Sequence, residues 1–229
     1  MRAVFRNQEE QAIVADYFHD QIGTFVEVGA FDPVVESQTF HLEQRGWSGV
    51  LIEPVPEFAV ALRNKRCAQV FEVACGAPEH HGTRMPIRVT GGLSSLRETF
   101  ITERLSSAEI LQVPVVTLDH VLLSARIYDI DFLSVDVEGF EMSVLRGLSF
   151  DRFKPRLILI EDWGHDWERH RFLRKHGYKR VRRTGNNSWY VPNDVRFPIS
   201  LFGRWQLWRK YYLSVPLRRL RDRRQLARS

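Results

Sequence analysis

Carboxylate side chains stand at the ends of most strand-like segments in this sequence. They are Glu27 and Asp32, Glu53, Asp136 and Glu138, and Glu161 and Asp162. In an open parallel sheet, ligands bind at the carboxyl ends of the strands, so these side chains would meet at one edge. A group of carboxylates repels a phosphate and suits a cation or a hydroxyl-rich molecule. The sequence therefore predicts a site for such a ligand.

The segment TFVEVGAFDP, residues 24–33, begins like a nucleotide-binding turn. Its apolar run ends in Gly29, which suits a buried strand that breaks into a tight loop. A dinucleotide fingerprint would supply two more glycines, one of which lets the backbone approach a pyrophosphate. Here the next positions are Ala30, Phe31, Asp32 and Pro33. The missing glycines disfavour a nicotinamide oxidoreductase.

Glu53 lies 24 residues after Gly29, at the end of the second strand-like run. A carboxylate at this spacing can accept hydrogen bonds from both hydroxyls of a ribose. The predicted ligand thus contains a ribose but no pyrophosphate, and its far end carries positive charge. S-adenosylmethionine, with its adenosine, sulfonium and amino-acid end, is such a ligand.

The hydrophobic pattern predicts the elements that would position these residues. Strand-like runs fall at 24–29, 49–53, 69–74, 131–136 and 156–161, and helical patterns at 7–21, 37–45, 56–66, 117–125, 139–147 and 165–176. This alternation indicates an α/β fold with a parallel sheet buried on both faces. Two further runs, 177–183 and 188–191, flank a Thr-Gly-Asn-Asn turn and predict an antiparallel hairpin. Residues 77–113 fit the alternation least and are interpreted as an inserted loop or small lid, with one strand at 85–89.

Composition narrows the class of protein. With 229 residues and 44% hydrophobic content, the chain can bury one substantial core. Its two cysteines, Cys67 and Cys75, have neither disulfide nor zinc spacing, which indicates a reducing compartment. No apolar segment resembles a signal peptide or is long enough to span a membrane. We therefore expect a cytoplasmic protein.

The last 29 residues, 201–229, differ from the rest in charge: they contain nine Arg and Lys and one Asp, a net +8. Because the whole chain carries +5, the remainder carries 5 − 8 = −3. Two helices separated by Pro216 are predicted, the first with an apolar stripe at Leu201, Trp205, Trp208, Tyr212 and Val215. The stripe could pack on the domain or lie on an anionic membrane, at the inner face of which the protein would then work. Nucleic-acid binding is the third alternative.

Five blocks of the sequence together resemble the FkbM-type S-adenosylmethionine-dependent methyltransferases, over roughly residues 24–192. The blocks are FVEVGAFDP, GWSGVLIEPVPE at 46–57, GGLSSL at 91–96, VPVVTLDHVL at 113–122 and IDFLSVDVEGFEMSVLRGL at 130–148. Pro33 stands where the family usually has glycine, and Glu27 where it more often has Asp. The resemblance implies a class I methyltransferase fold with a seven-stranded, Rossmann-like, mostly parallel sheet, an antiparallel last strand and helices on both faces. Taken together with the residue pattern, it predicts a methyltransferase domain at 1–198, with an N-terminal helix in 1–23 and the 77–113 insertion, followed by the basic helical tail 199–229.

The resemblance also implies S-adenosylmethionine as cofactor and O-methyl transfer, frequently to a sugar hydroxyl of a glycan, glycolipid or natural product. The predicted cofactor-binding residues are Glu27, Gly29, Ala30, Phe31, Asp32, Glu53, Pro54, Cys75, Gly76, Ser95 and Asp136. The predicted catalytic residues are Asp136, Glu138 and His165, since such a reaction benefits from a base that takes the hydroxyl proton. Glu141 is interpreted as an acid favoured by a helix N-terminus.

Three alternatives remain at this point. Asp136 with Glu161 or Asp162 could hold Mg²⁺, although a metal is not favoured. The protein could instead methylate RNA and hold it with the basic tail, but no Asn/Asp-Pro-Pro-aromatic block follows the fourth strand. It could also be a non-catalytic scaffold at a membrane.

Overall fold

The computed structural model describes residues 2–89, 109–162 and 167–197, together with 205 and 207–209. The chain divides into two compact units, Met1–Glu161 and Asp162–Ser229. The first contains, in chain order, α1 (Arg2–Phe18), β1 (Thr24–Val28), α2 (Phe40–Glu43), β2 (Ser48–Ile52), α3 (Pro56–Lys65), β3 (Gln69–Phe71), β4 (Ala74–Cys75), a 3-10 turn (Pro78–His80), β5 (Arg84–Val89), β6 (Glu109–Val116), α4 (Leu118–Ser124), β7 (Phe132–Val135), α5 (Glu141–Arg146) and β8 (Leu157–Glu161). The second contains α6 (Trp167–Lys175), β9 (Tyr178–Thr184) and β10 (Asn187–Pro192).

A seven-stranded sheet has the order β3-β2-β1-β7-β8-β10-β9. The pairs β1/β2, β1/β7, β2/β3 and β7/β8 are parallel, and β9/β10 is antiparallel. Every residue of β7 and β8 is buried, which explains why these strands are largely apolar and do not alternate, with Ser134 and Glu161 as their polar residues. The predicted α/β fold, with a mostly parallel sheet that includes one antiparallel hairpin, is confirmed.

The register of the parallel strands fixes where the site can lie. Val28 of β1 is level with Ile52 of β2 and with Val135 of β7. Consequently Gly29, Glu53 and Asp136 all follow the last paired residues of neighbouring strands. The segments that follow β1, β2 and β7, which carry predicted site residues, therefore leave the sheet at the same edge.

A second sheet of three strands has the order β4-β6-β5. The predicted strand at 85–89 is present as β5, but the predicted strand at 69–74 is split between β3, which pairs with β2, and β4, which pairs with β6. β6 was not predicted as a strand, because Pro114 lacks a backbone N–H and weakens the strand signal. This small sheet has a core of its own, formed by Val55, Ala74, Ile87, Val113 and Val115.

α1 and α2 differ most from their predicted bounds. α1 begins at Arg2, before the predicted start at 7, and ends at Phe18, before the predicted end at 21; His19 then takes a left-handed conformation (φ +52°). α2 covers only Phe40–Glu43 of the predicted 37–45, because residues 37–39 make hydrogen bonds to a buried carboxylate. Among the helices of the described residues, none has the length and apolarity that crossing a membrane requires.

Candidate active site

A pocket opens in the first unit where β1, β2 and β7 end. It is lined by Val28, Gly29, Phe31, Ile52, Glu53, Pro54, Phe58, Val73, Ala74, Cys75, Ile87, Asp136, Val137, Glu138 and Phe140. Its empty space is about 570 Å³, counting open solvent at its mouth. Three of the described lining residues are acids and none is basic. Most of the other lining residues are apolar or aromatic, so the pocket has apolar walls and a negative charge.

Gly29 is required by the backbone at this edge. It has φ +83°, and a Cβ atom there would lie 1.8 Å from the carbonyl oxygen of Asp136. Its N–H donates to the carbonyl oxygen of Ile52 at 2.9 Å. Glycine thus lets the turn after β1 pass close to the end of β7. This agrees with the tight turn that the sequence predicted at Gly29.

Glu53 is 4% exposed and lies on the pocket wall. Its Oε2 accepts the N–H of Phe31 at 3.0 Å, and its Oε1 accepts the N–H of Val55 at 2.9 Å. Burial raises the pKa of the Glu53 carboxyl to about 7, and the hydrogen bonds from Val55 and Phe31 oppose that rise. Because Phe31 has φ +35°, the carboxylate also holds a residue in a backbone conformation that it seldom adopts.

Aromatic rings form part of the wall beside Glu53. The ring of Phe31 meets that of Phe58 edge to face, with centroids 4.7 Å apart. Ile87 of β5 brings the small sheet into the same wall. Cys75 is buried, and burial raises the pKa of its thiol, so it lines the pocket as a neutral, apolar group.

A cluster of three carboxylates lies at the end of β7 and β8. One oxygen from each of Asp136, Glu138 and Glu161 lies within 4.8 Å of the others. Glu138 has φ +51°, and Gly139 after it has φ +100°. The N–H of Gly139 donates to Oε1 of Glu141 at 2.7 Å, so this buried acid at the start of α5 fixes the turn that presents Glu138. Strained backbone conformations of this kind cluster at functional sites, where they can hold a side chain in one position.

Four of the predicted cofactor residues do not line the pocket: Glu27, Ala30, Asp32 and Gly76. Asp32 turns back on its own chain, where its Oδ1 accepts the N–H groups of Val34 and Val35 at 2.8 and 2.6 Å. Ala30 is 2% exposed. A Cβ atom on Gly76 would lie 2.7 Å from the side chain of Val115, so this glycine serves the packing of β4 against β6.

Glu27 is 3% exposed and occupies a polar cluster beneath the turn. Its carboxylate accepts hydrogen bonds from the hydroxyls of Ser37 and Thr39 and from the N–H of Gln38. Burial raises the pKa of this carboxyl, and the same three hydrogen bonds and the charge of Arg66 oppose that rise. The structure thus uses Glu27 to hold residues 37–39.

Seven predicted site residues come together around the pocket: Gly29, Phe31, Glu53, Pro54, Cys75, Asp136 and Glu138. Ser95 and His165 lie outside the described residues. Glu161 joins the carboxylate cluster, whereas Asp162 is bound in the second unit by Arg183, Arg180 and Ser188. Sequence reasoning missed Phe58, Ile87 and Phe140, since apolar residues carry no chemical signal of their own.

Comparison with known proteins gives one family. The profile described as the methyltransferase FkbM domain matches residues 27–180, about two thirds of the chain. No curated protein matches the sequence. Among solved structures, the chain is similar to precorrin-6y C5,15-methyltransferase from Geobacter metallireducens GS-15, with 14% identity and a TM-score of 0.43, over 80% of this chain and 86% of that one.

Proposed function

This chain belongs to the FkbM methyltransferase family, and from that premise we propose that it is an S-adenosylmethionine-dependent O-methyltransferase. The proposed acceptor is a hydroxyl group of a sugar in a glycan, a glycolipid or a glycosylated natural product. The observation that carries this proposal is the pocket itself, with apolar walls, Glu53 at the end of β2 and a carboxylate cluster at the end of β7.

The pocket residues fit the parts of S-adenosylmethionine. Phe31, Phe58 and Ile87 offer an apolar surface for the adenine. A carboxylate has about four acceptor sites, and backbone N–H groups use one on each oxygen of Glu53. The remaining sites can accept both ribose hydroxyls. The negative cluster favours the cationic sulfonium end of the cofactor.

Bound S-adenosylmethionine would supply a methyl group on a cationic sulfur, which is already activated for displacement. The protein's own share is then to hold the acceptor hydroxyl in line and to receive its proton. Asp136 and Glu138 line the pocket and are the proposed bases. A base in this role contributes roughly 10²- to 10⁴-fold to the rate.

The test is a transfer assay with methyl-labelled S-adenosylmethionine and a panel of free and lipid-linked sugars, with RNA as the comparison acceptor. We expect label on a sugar and a fall of about 10²- to 10⁴-fold in kcat for Glu138→Asn. Asn tolerates the left-handed backbone at this position, so the free energy of unfolding should change by less than about 1 kcal/mol.

Glu57→Gln is the matched control, because Glu57 is an exposed acid in the first turn of α3 and does not line the pocket. Label on RNA alone would overturn the proposed acceptor, and a wild-type rate in Glu138→Asn would remove Glu138 as a base. Since three carboxylates also suit Mg²⁺, the assay is repeated with EDTA, and we expect no loss of rate. A loss that Mg²⁺ restores would assign the cluster to a metal instead.

A further inference from the structure

Two tryptophans near the start of the basic tail are exposed. Trp205 and Trp208 each show 50% of their surface. Residues 205, 207 and 208 are helical, and positions three apart are neighbours on a helix surface. The two indole rings therefore belong to one face of this turn. Trp is highly buried on average in soluble proteins, and adjacent exposed aromatic rings form the kind of apolar patch through which proteins meet partners or membranes.

A cation accompanies the exposed rings. The guanidinium of Arg209 lies 5.0 Å from the centroid of the Trp205 ring, and Arg209 is itself exposed. Such a pair places a positive charge beside an amphipathic ring. The same combination is found at the headgroup level of membranes, where Trp lies at the interface and Arg faces anionic lipids.

The net charge of the tail is positive and that of the rest of the chain is negative. Residues 201–229 carry +8 and the rest of the chain carries −3. An anionic surface therefore attracts the tail and repels the remainder. The apolar stripe of residues 201, 205, 208, 212 and 215 has the spacing of one face of a helix.

We propose that residues 201–229 bind the protein to anionic lipid membranes, with Trp205 and Trp208 at the interface. A nucleic acid could also bind the cations of the tail, but its phosphate contacts give no role to the Leu and Val positions of the stripe. A lipid membrane accounts for both the charge and the stripe, since apolar side chains enter the acyl boundary and Arg contacts the headgroups. This inference does not rest on the proposed methyl transfer.

The experiment is co-sedimentation of the full-length protein with vesicles of phosphatidylcholine alone and with 30% phosphatidylserine. We expect binding to the mixed vesicles that is at least tenfold tighter than to phosphatidylcholine and that weakens at high salt. The double variant Trp205→Ala/Trp208→Ala should lose at least tenfold in affinity. Tyr128→Ala is the matched control, because Tyr128 is an aromatic residue of the first unit with 60% exposure, and it should bind like the wild type.

A second variant tests the charge without touching an aromatic residue. Arg223→Gln/Arg224→Gln removes two of the nine tail cations, and we expect about 30-fold weaker binding. Failure of the wild type to bind the mixed vesicles would overturn the proposal, as would equal affinity for both vesicle types or wild-type binding by the tryptophan variant. Salt-steep binding to single-stranded RNA without vesicle binding would assign the tail to nucleic acid instead.

Discussion

Glu53 is a buried acid whose two oxygens each accept one backbone N–H, from Phe31 and from Val55. The side chain thus organises the turn after β1 and also faces the pocket. Its raised pKa, about 7, means that the carboxyl changes charge near neutrality. The protein therefore keeps an acceptor in a place where burial works against its ionised form.

This environment predicts how stability depends on pH. In the unfolded chain the Glu53 carboxyl has its usual pKa of 4.5, and in the fold about 7. Between these values the folded state binds more protons, so the contribution of Glu53 to the free energy of unfolding falls as pH rises. Relative to Glu53→Gln, the wild type should lose ~2–3 kcal/mol between pH 5 and pH 8. Urea denaturation of both proteins without ligand, at several pH values in this range, measures the difference.

A constant difference between wild type and Glu53→Gln across this pH range would contradict the assigned burial. Glu57→Gln, four residues along the chain on the exposed start of α3, should track the wild type at every pH. This control separates the titration of a buried carboxyl from the general effect of removing one negative charge.

At the residue scale, the sequence predicted best those residues whose type and position both constrain them. Gly29 and Glu53 were predicted because a tight turn needs glycine and because strand ends deliver their side chains to a known edge. The pocket does not include Asp32 or Glu27, although both follow the same logic. Their carboxylates bind nearby N–H and hydroxyl groups instead. Which partner a loop carboxylate takes depends on the loop path, which the sequence pattern does not specify.

At the scale of elements, one buried cation joins α3 to the segment between β1 and β2. The side chain of Arg66, at the end of α3, is fully buried and lies 3.1 Å from Glu43. It also donates to the hydroxyls of Ser37 and Thr39, both at 2.9 Å. Those hydroxyls bind Glu27 in turn. The network therefore fixes the loop that follows the pocket turn.

We predict that Arg66→Met lowers the free energy of unfolding by about 3–5 kcal/mol, because it leaves buried carboxylates without their cation. Arg63→Met is the matched control on the same helix. Arg63 pairs with Glu72 at 2.8 Å, but its side chain is 44% exposed, so removing it should cost less than about 1 kcal/mol. Urea denaturation of the three proteins gives the comparison. Equal losses in the two variants would mean that the network contributes no more than a surface pair.

The elements themselves were predictable to different degrees. The central parallel strands were found because burial on both faces makes them largely apolar, with few polar interruptions. The small sheet was not, since β4 has only two residues and β6 contains Pro114. In this sheet β4 pairs with β6, which places residue 74 opposite residue 115, and a local sequence pattern cannot predict so long-range a contact. The pocket wall at Ile87 depends on that sheet and could not be foreseen.

At the scale of the whole molecule, the family domain covers residues 27–180 and the basic segment follows it at 201–229. The negative pocket lies in the first unit, and the positive charge of the sequence is concentrated at the end of the second. If both proposals hold, a cationic cofactor and an anionic membrane are attracted by different parts of the chain. Variants of the pocket and variants of the tail therefore test different properties of the protein.

The proposed function requires that the pocket binds S-adenosylmethionine through Glu53. Calorimetric titration of the wild type, Glu53→Gln and Glu57→Gln at pH 8, where the Glu53 carboxyl is ionised, measures this binding and the share of Glu53 in it. We predict micromolar binding by the wild type and by Glu57→Gln, and at least tenfold weaker binding by Glu53→Gln, since hydrogen bonds from ribose hydroxyls to a charged acceptor are lost. No binding by the wild type, or equal affinity in all three proteins, would contradict this role of the pocket and of Glu53.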